Sequence, residues 1–98
     1  MGAPVITDVT DKDGTTITGG VYDDVVRVFG DGVTAGVDVN LYWDSVDVWD
    51  GEKGFLNSSE GLPAGSFEIW FEVPESVNGL HYLWIKDGTA TAGPESFS

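Results

Sequence analysis

Two runs near the end of the chain constrain its fold most. In Gly65-Ser66-Phe67-Glu68-Ile69-Trp70-Phe71-Glu72-Val73-Pro74, the side chains of Phe67, Ile69, Phe71 and Val73 fall on one side, and Ser66, Glu68, Trp70 and Glu72 on the other. In Gly79-Leu80-His81-Tyr82-Leu83-Trp84-Ile85-Lys86-Asp87, the inward set is His81, Leu83 and Ile85 and the outward set Tyr82, Trp84 and Lys86. A period of two residues is the signature of a strand with one wet and one buried face, and helices cannot produce it. Pro74 lacks the amide hydrogen that a ladder needs and closes the first run. Two neighbouring strands of this kind predict an all-β protein.

The remainder of the chain repeats the theme. Turn signals (Asp13-Gly14, Gly19-Gly20, Gly30-Asp31-Gly32, Asp50-Gly51, Asn78-Gly79, Asp87-Gly88) recur roughly every 8–12 residues, the spacing of sandwich and barrel folds. Strands are predicted over residues 4–9, 15–18, 24–29, 37–44, 66–73, 80–86 and 90–97, with essentially no helix. Residues 45–64 are the least regular, and their apolar members Val46, Val48, Trp49, Phe55 and Leu56 would support one or two short edge strands. In the 37–44 strand, Val37, Val39, Leu41 and Trp43 share the inner face, which makes Trp43 a core residue. Asp38, Asn40, Tyr42 and Asp44 share the outer face.

Ninety-eight residues make one domain, spanning 1–98, and 41% apolar with 12% aromatic side chains is ample for a single core. Against that core stand 17 acidic and 4 basic side chains, a formal charge of −13. Such a surface repels phosphate backbones and anionic headgroups, which argues against nucleic acid and membrane partners and for solubility or cation binding. No cysteine is present, so disulfides and thiolate metal sites are excluded. No apolar run reaches the roughly 18–20 residues of a membrane span. The start Met1-Gly2-Ala3-Pro4 lacks the pattern of a secretory leader, so a secreted form would need one ahead of it.

The Gly-Ser-Phe strand ending in Val73-Pro74-Glu75, followed by Gly79-Leu80-His81-Tyr82-Leu83-Trp84-Ile85-Lys86-Asp87, resembles the closing half of immunoglobulin-like modules of the IPT/TIG type. Ile17-Thr18-Gly19, the glycine corner Val28-Phe29-Gly30-Asp31-Gly32-Val33-Thr34-Ala35-Gly36 and Val39-Asn40-Leu41-Tyr42-Trp43-Asp44 are similar to the front half. The resemblance implies an immunoglobulin-like sandwich of two antiparallel sheets with seven to eight strands, found in bacterial and archaeal surface proteins. It also implies core and corner roles for Phe67 and His81, and no catalytic residue. Two features depart from that pattern: an unusually acidic 44–51 loop, and strand faces rich in aromatics.

Those departures are where candidate sites lie. Asp44, Asp47, Asp50 and Glu52 place four carboxylates within nine residues, and Ca²⁺ takes about six to eight oxygen ligands. Their spacing is not that of an EF-hand, and the competing reading is that each Asp caps its own turn. Asp8, Asp11 and Asp13 form a second acidic group open to the same two readings. With one His and no Cys, zinc has little to bind. Tyr42, Tyr82 and Trp84 would form one outward patch if their strands are neighbours in a sheet, with Trp70 outward on the other sheet. Exposed rings of this kind mark contact surfaces. Three explanations compete for them: subunit or domain contacts, sugar stacking with Asn40 nearby, and shielding by the 45–64 segment.

An enzyme is not expected. A glycosidase needs two carboxylates held in a cleft, and nucleophilic chemistry would need His81, which alternation turns inward. The sequence therefore points to a non-catalytic structural or interaction module of an extracellular surface protein or an external assembly such as a surface layer, filament or virion. Its partners would be neighbouring domains or subunits, including further copies of itself, and calcium is an optional ligand. The alternative is a carbohydrate-binding or adhesion module.

Overall fold

The computed structural model describes residues 4–33, 36–60, 65–74, 79–88 and 90–98. Among them the chain forms seven strands and no helix: β1 Val5–Asp11, β2 Val25–Val33, β3 Val39–Trp43, β4 Gly54–Ser59, β5 Gly65–Glu72, β6 His81–Asp87 and β7 Ala90–Phe97. A three-stranded sheet runs in the order β1-β2-β5 and a four-stranded one in the order β4-β3-β6-β7, with every pairing antiparallel. The chain crosses between the sheets at the β2–β3, β4–β5 and β5–β6 connections, and the two antiparallel sheets make an immunoglobulin-like sandwich and not a closed barrel.

The alternating residues of both sheets meet in one core. Val26 and Val28 of β2, Phe67, Ile69 and Phe71 of β5, Val39, Leu41 and Trp43 of β3, and Leu83 and Ile85 of β6 are all buried. Each aliphatic side chain removed from water in this way contributes about 1.5–3 kcal/mol. Toward one end the core becomes aromatic. Trp43 stacks on His81 with centroids 4.6 Å apart, and meets Phe97 edge-on at 5.8 Å and Phe71 at 6.2 Å. Such ring pairs add about 0.5–1.5 kcal/mol beyond the area they bury.

Gly30 of β2 shows why the glycine corner is glycine. A Cβ there would lie 2.3 Å from the Phe67 ring and 2.3 Å from the Val5 carbonyl oxygen. The strand therefore gives up a side chain so that Phe67 crosses it into the core. Beyond Gly30 the register with β5 shifts, yet the strand continues to Val33, which pairs with Gly65. Thr34 and Ala35 of the corner lie outside the described residues.

One strand expectation needs adjustment, and the edge strand expected in the irregular region is present. Residues 15–18 make no strand; Thr16 bridges Thr10 of β1 alone. The segment instead passes between sheets. Ile17 N–H donates to the Val9 carbonyl at 2.9 Å, after which Ser98 N–H donates to Thr18 and Gly20 N–H to Ser98, also at 2.9 Å. A stretch that divides its hydrogen bonds between two ladders carries a strand-like sequence without being a full member of either. In the irregular region, Gly54–Ser59 pairs with β3 over five residues, extending the four-stranded sheet by an edge strand.

Candidate functional site

The outer face of the four-stranded sheet is built from its two central strands. Alternation turns Asn40 and Tyr42 of β3 and Tyr82, Trp84 and Lys86 of β6 away from the core, and the pairing sets Tyr42 opposite Trp84 and Asn40 opposite Lys86. Tyr82 lies two residues farther along β6, opposite Ser96 of β7. The expected patch of Tyr42, Tyr82 and Trp84 therefore sits on one sheet face.

Phe55 joins it, a residue that sequence reasoning left unassigned. It pairs with Tyr42 across β3 and β4, and the rings meet edge to face at 6.0 Å and 74°. The register slips between Leu41 and Tyr42, so Leu56 packs toward the core while Phe55 stays outward. Phe55 is 39% exposed and Tyr82 38%, whereas Tyr42 and Trp84 are half-buried. Within the 45–64 segment, whose residues 61–64 lie outside the described ones, β4 thus shields Tyr42 partly through Phe55, which is itself exposed. Beside the rings runs a polar row of Ser58, Asn40, Lys86 and Thr91, aligned by register. Asn40 Nδ2 donates to the Tyr42 hydroxyl at 3.3 Å.

The centre of this face is free of acid. Among the outward residues of β3 and β6 there is no carboxylate, in a chain that carries 17. Lys86, one of four cations, sits there and forms no ion pair among the described residues, while Arg27 and Lys53 each meet a carboxylate.

The opposite sheet has a different outer face. Trp70 is 46% exposed, and Arg27 lies over its ring at 4.9 Å and over Phe29 at 5.0 Å. Glu68 receives Arg27 Nε–H at 2.7 Å and the Trp70 indole N–H as well. The hydrogen bond from Arg27 holds the Glu68 carboxyl below its ordinary value against the opposing effect of partial burial, with a smaller contribution from Trp70. The same bond raises Arg27. Trp70 is therefore outward as expected but is held in place by its own chain. At the seam, Asn57 Nδ2–H of β4 donates to the Trp70 carbonyl at 2.6 Å and Ser59 Oγ–H to the Glu68 carbonyl at 3.0 Å. Side chains two apart on one strand thus cap carbonyls two apart on the bare edge of another, which blunts that edge.

The acidic loop does not gather its carboxylates. Asp44 has left-handed backbone (φ 64°), accepts the Tyr82 amide at 2.8 Å and lies 2.7 Å from His81 Nδ1. Asp47 accepts the Ser45 hydroxyl at 2.5 Å. Asp50 accepts the amides of Glu52 and Lys53 at 2.9 and 3.0 Å, which lower its pKa. In the second group, Asp8 takes the Thr16 hydroxyl, and Asp11 caps the amides of Asp13 and Thr15. Among the described residues no three acidic or imidazole groups converge as ligands. A cavity of about 140 Å³ at the aromatic end is lined by Tyr22, Trp43, Pro74, His81 and Phe97 among others, none of them a carboxylate.

No protein-family model matches the chain, and no curated protein or solved structure is significantly similar to it. The likeness to IPT/TIG modules rests on the segments quoted above.

Proposed function

We propose that the protein is a non-catalytic structural or interaction module of an extracellular surface protein or external assembly, making its contacts through the outer face of the four-stranded sheet. The observation that carries this reading is the acid-free centre of that face: Asn40, Tyr42, Tyr82, Trp84 and Lys86 stand outward on the central strands of a chain of charge −13, with Asp38 and Asp44 just beyond the two ends of β3. Contact surfaces are depleted of carboxylates at their centre and enriched in Tyr and Trp. A merely soluble surface would not need the separation. The IPT/TIG resemblance supports the extracellular setting.

A carbohydrate-binding face is the second reading, favoured by the polar row of Ser58, Asn40, Lys86 and Thr91 beside the rings. The 74° tilt between Tyr42 and Phe55 weighs against it, because stacked sugars need rings lying flat on the surface. Trp84→Ala separates the two readings. Light scattering of a protein that self-associates should fall to the monomer value in the variant, with any glycan-array signal unchanged. Loss of glycan signal without a change in scattering would establish the second reading and overturn the first.

A further inference from the structure

We infer that the occupant of this face is a second copy of the same chain, packed sheet to sheet with its strands antiparallel across a twofold axis. The inference rests on the contact-face reading above and specifies its partner. Two charged features lie at opposite ends of the face. Lys86, without an ion pair among the described residues, stands beside Asn40 at one end, where the exposed Asp38 just precedes β3. At the other end β3 stops and Asp44 N–H donates to the Tyr82 carbonyl at 2.7 Å. The acidic loop leaves the sheet there, carrying Asp47 and Glu52, neither of which meets a cation among the described residues.

Between those ends lies the opposed pair Tyr42 and Trp84. A twofold axis in the contact plane, perpendicular to the strands, lays ring row on ring row and brings each copy's Lys86 toward the other's acidic loop. Both cation contacts form at once because the interface is self-complementary. Parallel stacking would set lysine over lysine and acid over acid. The net charge opposes the approach of two bodies of charge −13, and contact through the acid-free centre of this face adds no carboxylate to that repulsion. Screening should assist association: the Debye length falls from about 30 Å at 0.01 M salt to about 3 Å at 1 M, shortening body-to-body repulsion more than contacts at the centre of a dry face.

Sedimentation velocity of the intact chain across protein concentration, in about 0.02 M and about 0.5 M NaCl, tests the inference. The expected result is a reversible dimer, stronger at the higher salt. It should be weakened about tenfold or more by Lys86→Glu and restored when Asp47→Lys and Glu52→Lys are added to Lys86→Glu in the same chain. Carbodiimide coupling of mixed isotope-labelled and unlabelled copies should join Lys86 to Asp47 or Glu52 between copies. If Trp84→Ala abolishes association while Lys86→Glu and the cross-links show no involvement of the lysine, the contact face stands and the antiparallel twofold is overturned. Association indifferent to Trp84→Ala overturns both. A monomer at every salt concentration overturns the second copy, and its capture of a glycan through Trp84 would leave the face to a sugar. Circular dichroism of each variant checks that the sandwich is folded.

Discussion

His81 Nδ1 lies 2.7 Å from Asp44 Oδ2, across the end of the two central strands, with the imidazole stacked on Trp43 and only 7% exposed. The tautomer that completes this bond with Asp44 as acceptor carries its proton on Nδ1. Asp44 also accepts the Tyr82 amide and therefore ties the close of β3 to the start of β6. Asp44→Ala should cost about 1–3 kcal/mol in urea unfolding, because it strands a buried donor and forces a left-handed φ on Ala. Asp44→Asn, which keeps an acceptor and tolerates that backbone, should cost less than half as much. Equal losses in the two variants would mean that the carboxylate's charge matters more than its geometry.

Gly30→Ala should destabilise the sandwich by about 1–3 kcal/mol, since the methyl group would overlap the Phe67 ring and the Val5 carbonyl. Combining it with Phe67→Leu should cost less than the sum of the two single losses, because the pair competes for one space. Additive losses in a thermal melt would place the strain elsewhere.

Asn57 and Ser59 guard the free edge of β5 by capping the carbonyls of Trp70 and Glu68. Replacing both by Val should lose about 1–3 kcal/mol and raise irreversible aggregation on heating, since an uncapped edge recruits other strands. A variant as stable and as soluble as the parent would show that water serves those carbonyls equally well.

Below about pH 4.5 the Arg27–Glu68 pair should become a source of lost stability. The folded state holds the Glu68 carboxyl below its ordinary value, so the stabilisation is present above that value and disappears as pH falls through the folded one. Denaturant midpoints of the parent and of Glu68→Gln should therefore converge as pH falls below the ordinary carboxyl value of 4.5, the parent being the more stable only above it. Parallel curves would show that Glu68 acts through hydrogen bonding that Gln reproduces.

Calcium offers a direct test of the acidic loop. Asp44, Asp47 and Asp50 each serve a local hydrogen bond, so millimolar Ca²⁺ should raise the melting temperature no more than NaCl of equal ionic strength. A saturable rise, removed by Asp47→Asn with Asp50→Asn, would mean that the loop rearranges around an ion.

Legibility in the sequence followed the range of the cause. The inward sets of the 66–73 and 80–86 runs were readable because alternation is a property of neighbouring residues, and Phe67, Phe71 and Leu83 are buried as it requires. Trp43 in the core and Trp70 facing outward follow from the same rule. Phe55 was not readable, since its place depends on a register slip between Leu41 and Tyr42 that no local pattern encodes. The 15–18 segment misled because β-branched residues signal extended backbone without saying which partner supplies the hydrogen bonds.

The amino-acid order by itself determined that this is an all-β chain, which side of each central strand meets water, and that its surface is strongly acidic, because side-chain alternation and net charge need no knowledge of distant neighbours. Tertiary structure alone decided that Tyr42 meets Trp84 and Phe55, that Arg27, Glu68 and Trp70 interlock, and that Asp44 serves His81. Those pairings join residues up to 43 apart in the chain, from Arg27 to Trp70, and only the relative register of strands, fixed when the two sheets close on one core, selects them.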